Sequence, residues 1–237
     1  MDCDGRPHCV LERAGIEWGA MKFQAVIFDL DGTLLDTLED IADSMNAVLE
    51  RREFPGHETG AYRYLTGDGA RALVERSLPE SARDEATIAA CIQELREEYA
   101  DRWGKKTRPY PGVPEVLSAL SRRRIQMNIL SNKFHEFTKR AAADFLMGTG
   151  FAFVIGAKPG LPPKPDPSGA LLIAHGLDID PARFLYLGDT GVDMMTAARA
   201  GMFPVGALWG FRDEPELRQN GAQAFVRSPA ELLEFID

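Results

Sequence analysis

Four apolar runs along this chain each end in a residue type that can do chemistry. FQAVIFDL (23–30) carries Asp29 at its end and is followed by Asp31, Gly32 and Thr33; IQMNIL (125–130) is followed by Ser131 and Asn132. FAFVI (151–155) leads into a proline-rich loop with Lys164, and FLYLG (184–188) is followed by Asp189 and, one helical turn on, Asp193. Several carboxylates in one pocket repel one another unless a hard cation neutralises them. Oxygen ligands in this number suit Mg²⁺, which binds through a few carboxylates and keeps room for water and phosphate oxygens. A hydroxyl at a strand end, just before a helix, is a natural seat for phosphate, and a lysine adds positive charge there. An aspartate can attack phosphorus and so divide one hydrolysis into two easier steps. A second acid two residues away can protonate the departing alcohol and then deprotonate water.

These groups can act together only if the runs lie side by side. From about residue 109 the sequence alternates strand-like and helical patterns: strands at 125–130, 151–155, 184–187 and 203–207, helices at 134–145, 167–175 and 190–200. Such alternation predicts an α/β fold, a Rossmann-like parallel sheet with helices on both faces. Ligands of open α/β sheets bind outside the carboxyl ends of the strands, where all four clusters would converge. Between the first strand and this region, residues 37–108 carry helical patterning almost throughout, with helices expected at 37–53, 69–78 and 84–103. The expected organisation is therefore a core of residues 21–36 and 109–237, an inserted all-helical cap of residues 37–108, and a poorly ordered extension at 1–20. Pro109, Pro111 and Pro114 read as a linker, Asp36 as the N-cap of the first cap helix, and Arg122-Arg123-Arg124 as the basic end of a helix.

Composition narrows the function classes. The 237 residues are 45% apolar and 27% charged, with a formal net charge of −9, which argues against nucleic acid or an anionic membrane as partner. No apolar run approaches the length needed to cross a bilayer, and the first twenty residues lack the pattern of a signal peptide. Cys3, Cys9 and Cys91 cannot form a disulfide framework, so the expected location is cytoplasmic. Cys3, His8 and Cys9 are too few for a metal site. His8, His57, His135 and His175 are too scattered for one, and Cys91, Met194 and Met195 read as packing residues. Met21 directly precedes the first strand and is an alternative start.

Asp29-Leu30-Asp31-Gly32-Thr33-Leu34 resembles the first motif of the haloacid dehalogenase-like (HAD) hydrolase superfamily. Ser131-Asn132, Lys164 and Gly188-Asp189-x-x-x-Asp193 fall, in order, where the other three motifs are expected. The resemblance covers the chain from about Phe23 onward. It implies Asp29 as nucleophile and Asp31 as general acid/base. It further implies Mg²⁺ held by Asp29, Asp189 and the Asp31 carbonyl, and phosphate held by Thr33, Ser131, Asn132 and Lys164, with Asp193 fixing Lys164 from behind. Thr66-Gly67-Asp68-Gly69-Ala70-Arg71, together with Leu73-Val74-Glu75-Arg76, resembles the phosphoglycolate phosphatase branch. It marks Gly67, Asp68, Gly69 and Arg71 as candidate substrate contacts, with Arg71 a fork for a carboxylate. Trp209-Gly210-Phe211-Arg212 resembles the same branch, with no role assigned.

The implied function is a Mg²⁺-dependent phosphatase acting on a small phosphorylated metabolite, 2-phosphoglycolate first, as a monomer or homodimer. A phosphoglucomutase-like phosphotransferase and a promiscuous sugar-phosphate phosphatase are the alternatives. A non-enzymatic binding protein is disfavoured because every motif residue is present, and Asp31 argues against a dehalogenase or a phosphonatase.

Overall fold

The structure, a computed structural model, describes residues 23–236; the expected extension, with Cys3, His8, Cys9 and Met21, lies outside them. The chain begins with β1 (Ala25–Phe28) and β2 (Leu35–Asp36), then α1 (Leu38–Arg51), α2 (Tyr62–Leu65), α3 (Ala70–Ser77) and α4 (Glu85–Arg102). It continues through β3 (Arg108–Pro109), α5 (Val113–Arg122), β4 (Gln126–Phe134), α6 (His135–Phe145) and β5 (Phe153–Ala157). Then follow α7 (Ser168–Leu177), β6 (Phe184–Gly188), α8 (Gly191–Arg199), β7 (Phe203–Ala207), α9 (Glu214–Gln219) and β8 (Ala224–Val226).

Six strands form one parallel sheet in the order β5-β4-β1-β6-β7-β8. β1 lies inside it, Ala25 level with Gln126 on one side and Phe184 on the other. Its side chains alternate between two apolar layers. Val26 and Phe28 join Leu117, Leu120 and Leu185, whereas Ala25 and Ile27 join Ile173, Tyr186 and Met202. A strand covered on both faces has no polar side to present, which is why its sequence is continuously apolar. Full burial of each large apolar side chain contributes about 1.5–3 kcal/mol.

The helical block has its own core. α1 supplies Ile41, Met45, Val48 and Leu49, α3 supplies Leu73 and Val74, and α4 supplies Ile88, Cys91, Leu95 and Tyr99. α4 starts where expected: Asp84 accepts from the Thr87 N–H at 3.0 Å and from its hydroxyl at 2.7 Å, satisfying a donor that the first turn leaves free.

Some expectations are corrected. Asp36 is not a helix cap. It lies in β2, pairs antiparallel with Arg108 of β3, and its carboxylate accepts from the Arg108 guanidinium at 3.1 Å. Pro114 is not linker but sits in the first turn of α5, where its missing N–H has no partner to lose. β4 does not stop at Leu130 but runs on through Phe134. α9 and β8 went unread.

The β2–β3 ribbon is where the chain leaves the sheet for the helical block and returns. Asp40, in the first turn of α1 and only 1% exposed, clasps the chain just before it returns as β3. Its carboxylate accepts from the Lys106 N–H (3.1 and 3.2 Å), the Thr107 N–H (2.9 Å) and the Thr107 hydroxyl (2.6 Å). Asp40→Ala leaves the two buried Thr107 donors without an acceptor, and each orphaned group costs about 1–3 kcal/mol. Urea unfolding of the D40A protein should show a loss of at least about 2 kcal/mol, with Asp40→Asn losing less.

Candidate active site

The carboxyl ends of β1, β4 and β6 bring the expected residues together. Asp29 follows β1 directly, and its N–H donates to the Leu187 carbonyl at 2.9 Å. Beyond it the chain turns back on itself, the Gly32 N–H donating to the Leu35 carbonyl at 2.9 Å. Gly32 has φ +84°, and a Cβ there would lie 2.2 Å from Asp189 Oδ2. Only glycine takes this conformation without strain and leaves the carboxylate its place.

Lys164 reaches under the site from the loop after β5. Its Nζ lies 2.8 Å from Asp29 Oδ1 and 2.6 Å from Asp193 Oδ1, with all three side chains almost fully buried. Burial opposes its charge, but Asp193 and Asp29 prevail and hold it well above the usual lysine range. Asp193 turns its other oxygen to the start of α8, accepting from the Thr190 N–H at 3.1 Å and its hydroxyl at 2.6 Å. It therefore both caps a helix and anchors the lysine.

Asp189 is fully buried, and each of its oxygens accepts a hydrogen bond. Thr33 Oγ1 donates to Oδ1 at 2.7 Å and the Phe211 N–H to Oδ2 at 2.8 Å. Asp29, Asp189 and Asp193 present oxygens within 4.8 Å of one another. Burial pushes Asp29 up to about 7, Asp193 adding to it and Lys164 opposing it, and burial with the charges of Asp29 and Asp193 holds Asp189 well above the carboxylate range. One ammonium against three carboxylates leaves negative charge in excess, so this donor set fits a divalent cation of oxygen preference. Both oxygens of Asp193 are engaged by Lys164 and Thr190, which leaves Asp29 and Asp189 as the candidate carboxylate ligands.

Above these groups lies a cavity of about 600 Å³ including its mouth. Asp29, Asp31, Ser131 and Asn132 form its floor, and Gly67, Gly69, Leu73, Leu95 and Tyr99 of the helical block close it from above. Several expected residues have other immediate partners. Thr33 gives its hydroxyl to Asp189 rather than to the cavity. Asn132 exchanges hydrogen bonds with the Lys164 main chain, accepting from its N–H at 2.8 Å and donating to its carbonyl at 3.0 Å. Arg71 points away and forms an exposed ion pair with Glu85 at 2.7 Å. Asp68 pairs with Arg76.

One residue was missed, and one segment had been singled out without a role. Lys133 follows Ser131-Asn132 directly, and its buried Nζ lies 2.9 and 3.1 Å from the two oxygens of Asp31. The signal was a lysine next to the second motif, on a strand read as ending at Leu130. The segment is Trp209–Arg212. Besides the Phe211 N–H on Asp189, Trp209 Nε1 donates to the Thr33 carbonyl at 3.0 Å. Buried Arg212 donates to the Thr66 carbonyl at 2.8 Å, and Arg63 donates to the carbonyls of Gly210 and Phe211. The segment thus holds a site carboxylate on one side and seats the helical block on the other.

Comparisons with known proteins identify the family. Residues 26–207 match the model of the family described as haloacid dehalogenase-like hydrolase. The chain belongs to that family. A protein of Psychrobacter arcticus named phosphoglycolate phosphatase is 31% identical over 212 residues, covering 86% of this chain and 92% of its own. A Pseudomonas aeruginosa protein named N-acetylmuramic acid 6-phosphate phosphatase is 30% identical over 222 residues, covering 92% and 96%. A crystal structure from Lactobacillus delbrueckii subsp. bulgaricus superposes with a TM-score of 0.85 at 26% identity, covering 91% of this chain and 99% of that one. Within the family this chain falls in the phosphoglycolate phosphatase-like branch, and it is a phosphatase.

A Cβ at Gly210 would lie 2.2 Å from Asp189 Cβ and 2.5 Å from the Gly32 carbonyl. Neither atom is the end of a flexible chain. Gly210→Ala should therefore lower stability by roughly 1–3 kcal/mol or more, the usual cost of overpacking. Thermal unfolding would measure it, with Gly60→Ala, where the space is open, as the control.

Proposed function

We propose that this chain is a Mg²⁺-dependent phosphomonoester hydrolase working through an aspartyl-phosphate, with 2-phosphoglycolate the first candidate substrate. The observation that carries the proposal is Asp29: a buried carboxylate on the cavity floor, ion-paired to Lys164 at 2.8 Å, with Asp31 two residues on in the same cavity.

An Asp29 oxygen attacks phosphorus, and the bond from phosphorus to the ester oxygen breaks, its electron pair leaving with that oxygen. Asp31 gives the leaving oxygen a proton. Water then attacks the aspartyl-phosphate and loses a proton to Asp31, and the bond to Asp29 breaks to release phosphate. Lys164 favours the ionised form of Asp29 against its burial and offsets charge on the phosphoryl oxygens. Ser131 lies on the cavity floor within reach of those oxygens, and Asn132 fixes the main chain that carries Lys164. Asp29, Asp189 and the Asp31 carbonyl would hold Mg²⁺, which when bound neutralises charge on the phosphoryl group. The helical block excludes water while this happens and has to move for substrate to enter.

Substrate choice rests with the block's inner wall. Gly67 and Gly69 remain candidate contacts. Arg71 is paired with Glu85 and would have to leave it to read a carboxylate. The relative named for N-acetylmuramic acid 6-phosphate supports a sugar phosphate as the second candidate. No described helix is long and apolar enough to cross a membrane. The acidic net charge argues against a nucleic-acid or anionic-membrane partner, and a cytoplasmic monomer or homodimer is part of the proposal.

The purified protein should release phosphate from a panel of phosphate esters only with a divalent cation, and Asp29→Asn should lower the rate by roughly 10³-fold or more with folding intact. A panel without phosphate release would overturn the reading. Mg²⁺ should also raise the unfolding temperature. At about a hundred times its dissociation constant the gain is about 2.7 kcal/mol, several degrees for a chain of this size. Asp189→Asn should abolish that response.

A further inference from the structure

Lys133 has no task in the reaction as described, yet few side chains in the cavity wall are more tightly held. Its side chain is 6% exposed. On one side both oxygens of Asp31 accept from its Nζ. On the other, the Tyr99 ring lies over it, with 4.3 Å from Nζ to the ring centroid. Tyr99 belongs to α4 of the helical block, is itself buried, and packs edge-on against Phe137 of α6 at 5.1 Å. Three separate pieces of chain therefore stack in one line: the loop after β1, the end of β4, and the block.

This arrangement has a mechanical meaning. The terminal torsion of an aspartate is broad, so a lone carboxylate adopts many orientations. An ammonium shared by both oxygens restricts that rotation. Proton delivery needs the acid within about 2.6–3.2 Å of the leaving oxygen, so restricting rotation raises the share of competent orientations. A buried ammonium is stable only while paired and shielded. Burial opposes its charge here, but Asp31, with Tyr99, outweighs burial and holds Lys133 above its ordinary range. The shield is the Tyr99 ring, in cation–π contact, and it is in place only when the block is seated.

We propose that Lys133 is a positioning residue that orients Asp31 for proton transfer to the leaving group, and that Tyr99 makes this orientation depend on closure of the helical block. The proposal rests on the reading of Asp31 as the acid. The test compares kcat/KM, which covers the steps up to departure of the leaving group, on three esters. These are 2-phosphoglycolate, glycerol 3-phosphate and 4-nitrophenyl phosphate, whose nitrophenolate leaves without a proton. Lys133→Met should lower kcat/KM on both alkyl esters by at least roughly tenfold more than on the nitrophenyl ester. Asp31→Asn should show the same split, Lys133→Arg should restore part of it, and Tyr99→Leu should show it more weakly.

An equal loss on all three esters would make Lys133 merely structural and overturn the proposal. A loss confined to 2-phosphoglycolate would make it a reader of the substrate carboxylate and overturn it as well. If Lys133→Met does not fold, Tyr99→Leu carries the comparison, and absence of the split there overturns the proposal. A wild-type protein silent on all three esters and on the whole of the wider panel overturns the hydrolase reading and this inference with it. Activity elsewhere on the panel moves the comparison to an alkyl and an aryl ester that are turned over.

Discussion

Negative charge crowded at one edge of a sheet is the constraint from which the rest of the molecule follows. Asp29, Asp189 and Asp193 are buried with oxygens inside 4.8 Å of one another. Two unit charges about 4 Å apart interact by about 4 kcal/mol at an effective dielectric of 20, so the set cannot stand alone. The fold answers with an ammonium between Asp29 and Asp193 and hydrogen-bond donors on both oxygens of Asp189. Each answer comes from a different segment. The site therefore exists only when β1, β4 and β6 lie in register and the loops after β5 and β7 are folded against them.

The helical block is tied into the same electrostatic problem rather than resting on it. Trp209–Arg212 binds Asp189 through one backbone N–H and grips the block's Thr66 carbonyl through Arg212. Lys133 and Tyr99 make a second tie on the opposite strand. Cation–π and ion-pair contacts continue it outward: Arg96 pairs with Glu136 at 2.7 Å, and Arg140 lies over Trp103. The inner ties are buried and sensitive to seating, whereas exposed pairs such as Arg96–Glu136 contribute little each.

Much of this was legible before any coordinates. Both faces of the central strands are buried, so their sequences are unbroken apolar runs, and whatever follows each run must lie at one edge. That logic placed Asp29, Asp31, Ser131, Lys164, Asp189 and Asp193 together. It failed where the partner of a side chain is decided by tertiary contact. Nothing local says that Thr33 turns to Asp189, that Asn132 turns to the Lys164 main chain, or that Arg71 prefers Glu85. Two-residue strands have no period, so β2 and β3 were invisible and Asp36 was taken for a helix cap. Lys133 escaped because a strand holding polar residues at its end looks finished too early, here at Leu130 instead of Phe134.

The β2–β3 ribbon sends the chain out of the sheet and brings it back at neighbouring points, with Asp40 fastening the return. To the sheet, the whole excursion is therefore little more than a wide hairpin. Length and shape can change beyond the ribbon with small effect on the strands, since closing a longer loop costs entropy only logarithmically. Inheritance can act on the two parts at different speeds. The sheet edge that carries the site can be kept as a piece, while the roof above it can be recast on the same two posts.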